Sequence, residues 1–352
     1  MLSRAIAGLI GTLSHMRHPG GIIGLILLLA LATPSAADDV HDRWGTGQAS
    51  SDVIFTAAQD DGDEELPARS PMVVSSLRQA APRIAFDSTR SGNVEIYIMN
   101  IDGSGVTNLT NHAAEDSDPA WSPDGTQIAF ESDREGNFDI LVMNADGSDW
   151  VNLTNDISMD VSAAWSPDGT QIAFASDRTG DLEIYVMNSD GSDVTQLTNR
   201  RGVDGAPDWS PDGTRIAFES FRDGNYAIYV MNADGSSLRR LTSDAESSHR
   251  APAWSPDGTR IAFHSYRAGG HDIAGTHDIY VMNADGSRVI NLTNSPWADD
   301  DSPNWSADGT RIAFESNRLG NADIYIMDAD GMGLTILTRH IATDSHPVFS
   351  PP

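Results

Sequence analysis

The stretch Trp121-Ser-Pro-Asp-Gly-Thr-Gln-Ile-Ala-Phe-Glu-Ser-Asp-Arg134 decides the fold, because close copies of it return along the chain. Trp-Ser-Pro-Asp-Gly, or once Trp-Ser-Ala-Asp-Gly, begins at Trp121, Trp165, Trp209, Trp254 and Trp305. The tripeptide Ile-Ala-Phe begins at Ile84, Ile128, Ile172, Ile216, Ile261 and Ile312. Six copies of a repeat of about 44 residues therefore make up the chain from residue 83 onward.

Each copy predicts four antiparallel strands, which together form one blade of a β-propeller. The first strand ends at the Trp, and Pro-Asp-Gly supplies a tight turn. The second strand is Thr-x-Ile-Ala-Phe, and the third is of the Ile-Tyr-Val-Met type, rich in β-branched and aromatic residues. An Asp-Gly turn then leads to a fourth strand that ends at Leu-Thr. We predict an all-β, six-bladed propeller in which the Trp and Phe side chains pack between blades.

The two ends of the repeat region decide how the ring closes. The first copy has Ile84-Ala-Phe86 but no Trp-Ser-Pro-Asp-Gly before it. The chain ends with His346-Pro-Val-Phe-Ser-Pro-Pro352, in which Phe349 takes the position of the Trp. The C-terminal strand is therefore predicted to join the first blade, which removes exposed sheet edges. In a competing interpretation, residues 72–76 fill that position.

The sequence before the repeats predicts a leader and a linker. Arg4 and Arg17 precede an apolar run at residues 20–32, and small residues up to Ala37 suit cleavage by a signal peptidase. Residues 1–37 are thus predicted to be a signal peptide, with an uncleaved membrane anchor as the alternative. Residues 38–82 read as an acidic disordered linker, and residues 83–352 as the propeller. We expect a periplasmic or secreted protein that is not inserted in the membrane after cleavage.

Composition limits the partners. The formal net charge is −29, from 51 acidic and 22 basic residues, and every basic residue is an arginine. Such a chain repels nucleic acids and anionic membranes, and attracts basic proteins, basic peptides and divalent cations. It has no cysteine, which excludes disulfides, thiol catalysis and cysteine-ligated zinc. We expect a monomer.

The repeat resembles that of the TolB family. The residues that carry the resemblance are Trp-Ser-Pro-Asp-Gly-Thr-x-Ile-Ala-Phe-x-Ser-x-Arg, the Ile-Tyr-Val-Met-Asn strand, Asp-Gly and Leu-Thr-Asn, over residues 83–350. The resemblance implies a periplasmic propeller that binds a protein, as TolB binds the peptidoglycan-associated lipoprotein. TolB also has an α/β domain before its propeller. Residues 38–82 are too few for such a domain, so we expect a TolB-like propeller without it.

One polar position recurs five residues before the end of each first strand. Its occupants are Asp116, Asp160, Asp204, His249, Asp300 and Asp344. Six-fold repetition would place them in a ring at one mouth of the central channel, and similar TolB repeats also have an Asp there. Converging carboxylates without partners repel each other, which favours a bound cation, with Ca²⁺ as the candidate at the five aspartates. The other interpretation is that each Asp caps its own strand-entry loop.

Two further features point to the same mouth. Arginines follow Phe-x-Ser in every copy, and their recurrence suggests pairing with Asp or backbone groups between blades: Arg90, Arg134, Arg178, Arg222, Arg267 and Arg318. The fifth copy has an insertion at residues 268–277, where His271, Asp272 and His277 would overhang the mouth beside His249. They suggest either a glycine-rich binding loop or a two-histidine, one-carboxylate metal site. Tyr266, Phe221 and Tyr226 would add aromatic contacts.

Two functions follow from these features. The first is a non-enzymatic scaffold that binds a protein or peptide at the acidic channel mouth, with calcium as a candidate cofactor. The sequence favours it because we find no Gly-x-Ser-x-Gly, phosphate-binding loop or His-Glu-x-x-His motif. The alternative is a metal-dependent carbohydrate-active or lactonase-like enzyme. Its site would use the insertion and His249, since departures from six-fold symmetry concentrate there.

Overall fold

The computed structural model describes residues 81–243, 247–267 and 276–352. These residues form 24 strands. The strands are β1 (Arg83–Ser88), β2 (Glu95–Asn100), β3 (Thr107–Asn108), β4 (Asp116–Trp121), β5 (Gln127–Ser132), β6 (Asp139–Asn144), β7 (Val151–Asn152), β8 (Asp160–Trp165), β9 (Gln171–Ser176), β10 (Glu183–Asn188), β11 (Thr195–Gln196), β12 (Asp204–Trp209), β13 (Arg215–Ser220), β14 (Ala227–Asn232), β15 (Arg239–Arg240), β16 (Ser247–Trp254), β17 (Arg260–Arg267), β18 (Asp278–Asn283), β19 (Ile290–Asn291), β20 (Asp300–Trp305), β21 (Arg311–Ser316), β22 (Asp323–Asp328), β23 (Thr335–Ile336) and β24 (Asp344–Phe349). Within these ranges we find no helix long and apolar enough to cross a membrane.

The strands pair into six antiparallel, four-stranded blades arranged in a ring. Blade 1 has the order β24-β1-β2-β3, and blades 2 to 6 are β4–β7, β8–β11, β12–β15, β16–β19 and β20–β23. β24 contacts β20 on one side and β4 on the other, which closes the ring. The predicted fold and closure are thus confirmed, since β24 occupies the first-strand position of blade 1. The competing segment 72–76, the predicted signal peptide and the linker up to residue 80 lie outside the described residues.

The hydrophobic core is divided into six clusters, one at each boundary between neighbouring blades. Between blades 1 and 2, Trp121 and Phe130 pack against Ile96 and Ile98. The Phe of every Ile-Ala-Phe is fully buried. The Trp and Phe therefore join blades, as predicted. Truncating one such ring to Ala would cost about 3–5 kcal/mol.

Every first strand has a β-bulge at the same place. Its pairing with the second strand shifts register, and the residue three positions before the closing Trp or Phe has a φ between 46° and 57°. The bulge residues are Asp118, Ser162, Ala206, Ala251, Ser302 and His346. Residues other than glycine rarely adopt a positive φ. Its presence in all six blades shows that the bulge belongs to the repeat, and bulges characteristically re-aim local groups.

Candidate functional site in the central channel

A cavity of ≈ 990 Å³ lies where the six first strands face one another. All six bulge residues line it, together with turn residues such as Pro123 and Pro167. Its ionisable lining residues are Asp118, Asp208, Glu219, Arg250, His264, His277, Asp301, Glu315 and His346. Carboxylates are in the majority, but three imidazoles and one guanidinium stand among them. The channel is therefore a polar site of mixed charge.

The five predicted ring aspartates lie elsewhere. Each begins a first strand, is fully buried and does not line the cavity. Each accepts a charge-assisted bond from an arginine: Arg134–Asp116 at 2.9 Å, Arg178–Asp160 at 2.9 Å, Arg318–Asp300 at 2.7 Å, Arg90–Asp344 at 2.7 Å, and Arg222–Asp204. The premise that these carboxylates lack partners is therefore wrong. Calcium binding at them stays a prediction.

In the five blades other than blade 5 the arginine pairs with Asp as predicted, but within a blade and not between blades. Arg134 follows β5, and Asp116 begins β4 of the same sheet. The Arg134 Nε also donates to Ser132 Oγ at 2.9 Å, so the Ser-x-Arg motif forms one unit. The guanidinium carbon of Arg134 lies 4.4 Å from the Trp150 ring centroid. The recurring motif thus links the start of the first strand to the turn that follows the second strand.

Blade 5 has His249 in place of the aspartate. His249 is buried, and its Nδ1 lies 2.8 Å from Ser265 Oγ. Its ring meets Phe263 edge-on at 5.5 Å. Tyr266 is half-buried near the end of β17, and the backbone of Arg267 ends that strand. His249 therefore serves as a packed and hydrogen-bonded part of the blade.

A second ring of residues, polar in five of the six blades, has no counterpart among the predicted site residues. It consists of the residue between Phe and Ser in each second strand: Asp87, Glu131, Ala175, Glu219, His264 and Glu315. In four blades this side chain accepts the N–H of the bulge residue in the next blade, as Ser162 N donates to Glu131 Oε1 at 2.6 Å. The sequence pattern that could have predicted this ring is the acidic residue that recurs directly after Ile-Ala-Phe. The bulge gave no comparable sequence signal.

The channel perturbs the acids of this ring. Burial, with the nearby Asp118 carboxylate, raises the pKa of Glu131 to about 8. Burial likewise raises the pKa of Glu219 and of Glu315. Burial alone would lower the pKa of His346, but Asp87, whose Oδ2 is 2.8 Å from His346 Nδ1, raises it well above its ordinary value. Burial and neighbouring charges therefore shift the pKa values of these groups away from their ordinary values.

Two histidines and an aspartate meet at the boundary of blades 5 and 6. His264 lies on β17, His277 directly precedes β18, and Asp301 lies on β20. His277 Nδ1 is 2.9 Å from Asp301 Oδ1, and His264 Nδ1 is 3.5 Å from the same oxygen. The two imidazoles stack with centroids 5.2 Å apart. Burial lowers the pKa of His264 to about 4, whereas the Asp301 carboxylate raises that of His277.

The predicted insertion site is only partly described. His271 and Asp272 lie within 268–275, outside the described residues. His277 contacts His264 and Asp301, which are not among the site residues predicted from the sequence. Phe221 is exposed and its ring is 5.1 Å from that of Tyr226, so two of the three predicted aromatic residues contact each other. The guanidinium carbon of Arg250 lies 3.5 Å from the Tyr226 ring centroid and brings this pair beside the cavity wall.

Two protein families and several solved structures resemble this chain. The TolB beta propeller domain matches residues 76–155, 134–201 and 243–352, and the Tricorn protease N-terminal beta propeller domain matches 179–275. No curated protein sequence matches. TolB from Acinetobacter baumannii is 24% identical over 77% of this chain and 67% of that chain, with a TM-score of 0.69.

Two less similar structures share the fold. A chain of the nidogen/laminin complex is 14% identical over 76% of this chain and 98% of that chain, with a TM-score of 0.62. An oligogalacturonate lyase in complex with manganese is 16% identical over 74% of each chain, with a TM-score of 0.52. At these identities the structural likeness shows the fold alone. The family matches extend over most of the propeller, and the chain belongs to the TolB β-propeller family.

Proposed function

We propose that this protein is an extracytoplasmic scaffold whose channel binds a basic segment of a protein or peptide. The observation that carries the proposal is the ≈ 990 Å³ cavity with its excess of carboxylates. Membership of the TolB propeller family supports a protein-binding role. The predicted leader supports a periplasmic or secreted location, where the ligand would be an envelope or secreted protein.

Because the predicted ring aspartates are buried, the proposed contact surface lies inside the channel and not at its mouth. Asp116 and its equivalents are neutralised by arginine and have no exposed surface. Asp118, Asp208 and Asp301 instead line the cavity. Five carboxyl groups and a single arginine stand in the described lining, so ionisation of these carboxyl groups would favour a cationic ligand there.

A matched pair of variants tests this proposal. Ala164 lines the cavity, so Ala164→Arg places a positive charge there and Ala164→Glu a negative one of similar size. Each protein would be immobilised and incubated with an envelope extract in EDTA, after circular dichroism has shown that both variants fold. The wild type and Ala164→Glu should retain a protein with a basic segment, and Ala164→Arg should retain at least ten times less. Equal retention by all three, or retention by none, would overturn the proposal.

The second candidate function is a metal-dependent enzyme that acts on a carbohydrate or a lactone. A specific observation favours it: His264, His277 and Asp301 converge beside a cavity large enough for a small substrate. The fold shared with a manganese-bound oligogalacturonate lyase lends it weak support. Metal-dependent turnover in a panel of oligosaccharides and lactones, lost in His277→Phe, would favour this candidate.

A further inference from the structure

Three departures from the repeat come together at one place. The position of His264 is acidic or Ala in the other blades: Asp87, Glu131, Ala175, Glu219 and Glu315. The position of His277 is apolar or aromatic elsewhere: Val94, Phe138, Leu182, Tyr226 and Ala322. The position of Asp301 is not acidic in any other blade: Ser117, Val161, Gly205, Arg250 and Ser345. The repeat alone therefore requires none of the three residues, yet they share one site.

The geometry of the three side chains suits a metal ion. One nitrogen of each imidazole and one oxygen of Asp301 all lie within 4.8 Å of one another. Two ligand atoms that bind the same ion at about 2.1 Å are about 3–3.5 Å apart in tetrahedral or octahedral geometry. The 2.9 Å between His277 Nδ1 and Asp301 Oδ1 is close to that spacing. The site is therefore nearly pre-formed.

Two of the candidate ligand atoms are not satisfied by hydrogen bonds. His277 Nδ1 and Asp301 Oδ1 are buried and lie 2.9 Å apart, but this contact lacks the geometry of a regular hydrogen bond, and neither atom has another hydrogen bond to a described residue. Buried polar atoms normally have such a partner, and an exception calls for an explanation such as an ion. This observation is independent of the repeat comparison and points to the same place.

Surrounding groups hold the ligands in position. His277 N donates to Asp299 Oδ1 at 3.2 Å, and His277 O accepts from Asp300 N at 2.9 Å. Asn317 Nδ2 donates to Asp299 Oδ2 at 2.8 Å, which fixes that carboxylate. Such partners orient ligands and are typical of metal sites.

The ligand types select the class of metal. Two imidazoles with one carboxylate suit divalent transition metals and zinc, whereas Ca²⁺ prefers six to eight oxygen ligands. Three protein ligands leave at least one coordination position open, and all three residues line the cavity. We propose that His264, His277 and Asp301 bind a divalent ion such as Zn²⁺ or Mn²⁺ at the boundary of blades 5 and 6, with its open positions toward the channel.

Metal titration of the full chain tests the proposal. After EDTA treatment and dialysis, isothermal calorimetry with ZnCl₂, MnCl₂ and CaCl₂ should show one Zn²⁺ or Mn²⁺ per chain and no tight Ca²⁺ binding. Saturating metal should also raise the melting temperature, because the ion binds the folded state. Co²⁺ should give a visible absorption band at this site.

The repeat itself supplies conservative variants. His264→Glu, His277→Phe and Asp301→Ser each install a residue that another blade carries at the same position, so each should fold. Each should weaken Zn²⁺ binding at least tenfold, whereas His340→Asn, at an exposed histidine, should not. Absence of binding to the wild type, unchanged binding in all three variants, or equal affinity for Ca²⁺ would overturn the proposal. The extract experiment above is done in EDTA, so the two proposals can fail separately.

Discussion

At the scale of single residues, the molecule depends on buried charge pairs that repeat around the ring. Asp116 is fully buried, and the Arg134 side chain beside it is only 5% exposed. A buried ion pair adds little net stability, since both groups lose their hydration. Removing one partner is different, because the remaining charge stays buried without compensation. These pairs therefore specify how each blade is assembled more than they stabilise it.

Arg134→Met should lower the free energy of unfolding by about 3–5 kcal/mol, because it leaves the Asp116 carboxylate buried and unpaired. Arg200→Met is the matched control, since Arg200 forms a 3.7 Å pair with Asp223 at the surface. Exposed pairs contribute about 0–1 kcal/mol. Urea unfolding at pH 7 measures both variants. Equal losses would show that the buried pair has no special role.

A second prediction at this scale concerns Asp208. Burial in the channel raises its pKa to about 7, although Trp254 N donates to its Oδ2 at 2.6 Å. The folded protein therefore holds this proton more tightly than the unfolded chain, whose carboxyl has an ordinary pKa of 3.8. Near pH 4 and below, Asp208 therefore has little effect on the free energy of unfolding. As the pH rises from about 4 to about 7, its ionisation lowers that free energy.

Asp208→Asn should therefore be close to the wild type at pH 4 and exceed its stability at pH 8, by on the order of 4 kcal/mol. The amide oxygen can still accept from Trp254 N. Asp212→Asn provides the opposite case, because Ser210 and Thr214 lower the Asp212 pKa to about 2 and the carboxylate is the stabilising form. Denaturant titrations from pH 4 to 8 compare the two. Parallel pH profiles for Asp208→Asn and wild type would contradict this prediction.

At the scale of elements, the bulged first strand is the part that joins the blades. Its bulge residue donates a backbone N–H across four of the blade boundaries. In blade 1 this strand is β24, whose Phe349 packs with Ile84 and Phe86. β24 pairs with β1 although the two strands lie at opposite ends of the repeat region. Ring closure therefore depends on one six-residue element.

A chain that ends at Thr343, without β24, should lose its single cooperative unfolding transition and expose the edge of β1. Exposed edges pair with other chains, so it should also elute as dimers or larger species in size-exclusion chromatography. Deletion of Pro351 and Pro352 alone, which follow β24, is the control and should unfold like the full chain. A monomeric, equally stable truncation would mean that β24 is dispensable.

At the scale of the whole molecule, charge is the dominant property. The formal net charge of −29 produces a field that a cationic partner meets before any contact is made. Salt screens this field over about 10 Å at 0.1 M and about 3 Å at 1 M. Under the proposed function, this field would govern the rate and the sign of association, and the channel would decide which ligand stays bound.

A fluorescent deca-arginine peptide should therefore bind at low salt and weaken at least tenfold between 50 mM and 500 mM NaCl, as measured by anisotropy. A deca-glutamate peptide should not bind at either salt concentration. Ala164→Arg should weaken deca-arginine binding at both, if the peptide enters the channel. Binding that is independent of salt would exclude long-range attraction as its basis.

The sequence by itself determined the propeller, the number of blades and the closure by Phe349. Those features follow from strand alternation, turn residues and a fixed period, which are local and recur along the chain. The inter-blade packing of Trp and Phe could be predicted for the same reason. The sequence predicted that these arginines pair with Asp. Whether the partner lies in the same blade or in the next one depends on which side of a sheet each turn reaches.

Only the tertiary structure decided where the ring aspartates point and which residues meet in the channel. A bulge that no sequence motif marks brings Asp301 toward His264 and His277, two residues of the neighbouring blade. Contacts between blades depend on backbone register and on ring geometry, and neither is encoded within a single repeat. The central site was therefore visible only once six blades, each built from local rules, had closed into a ring.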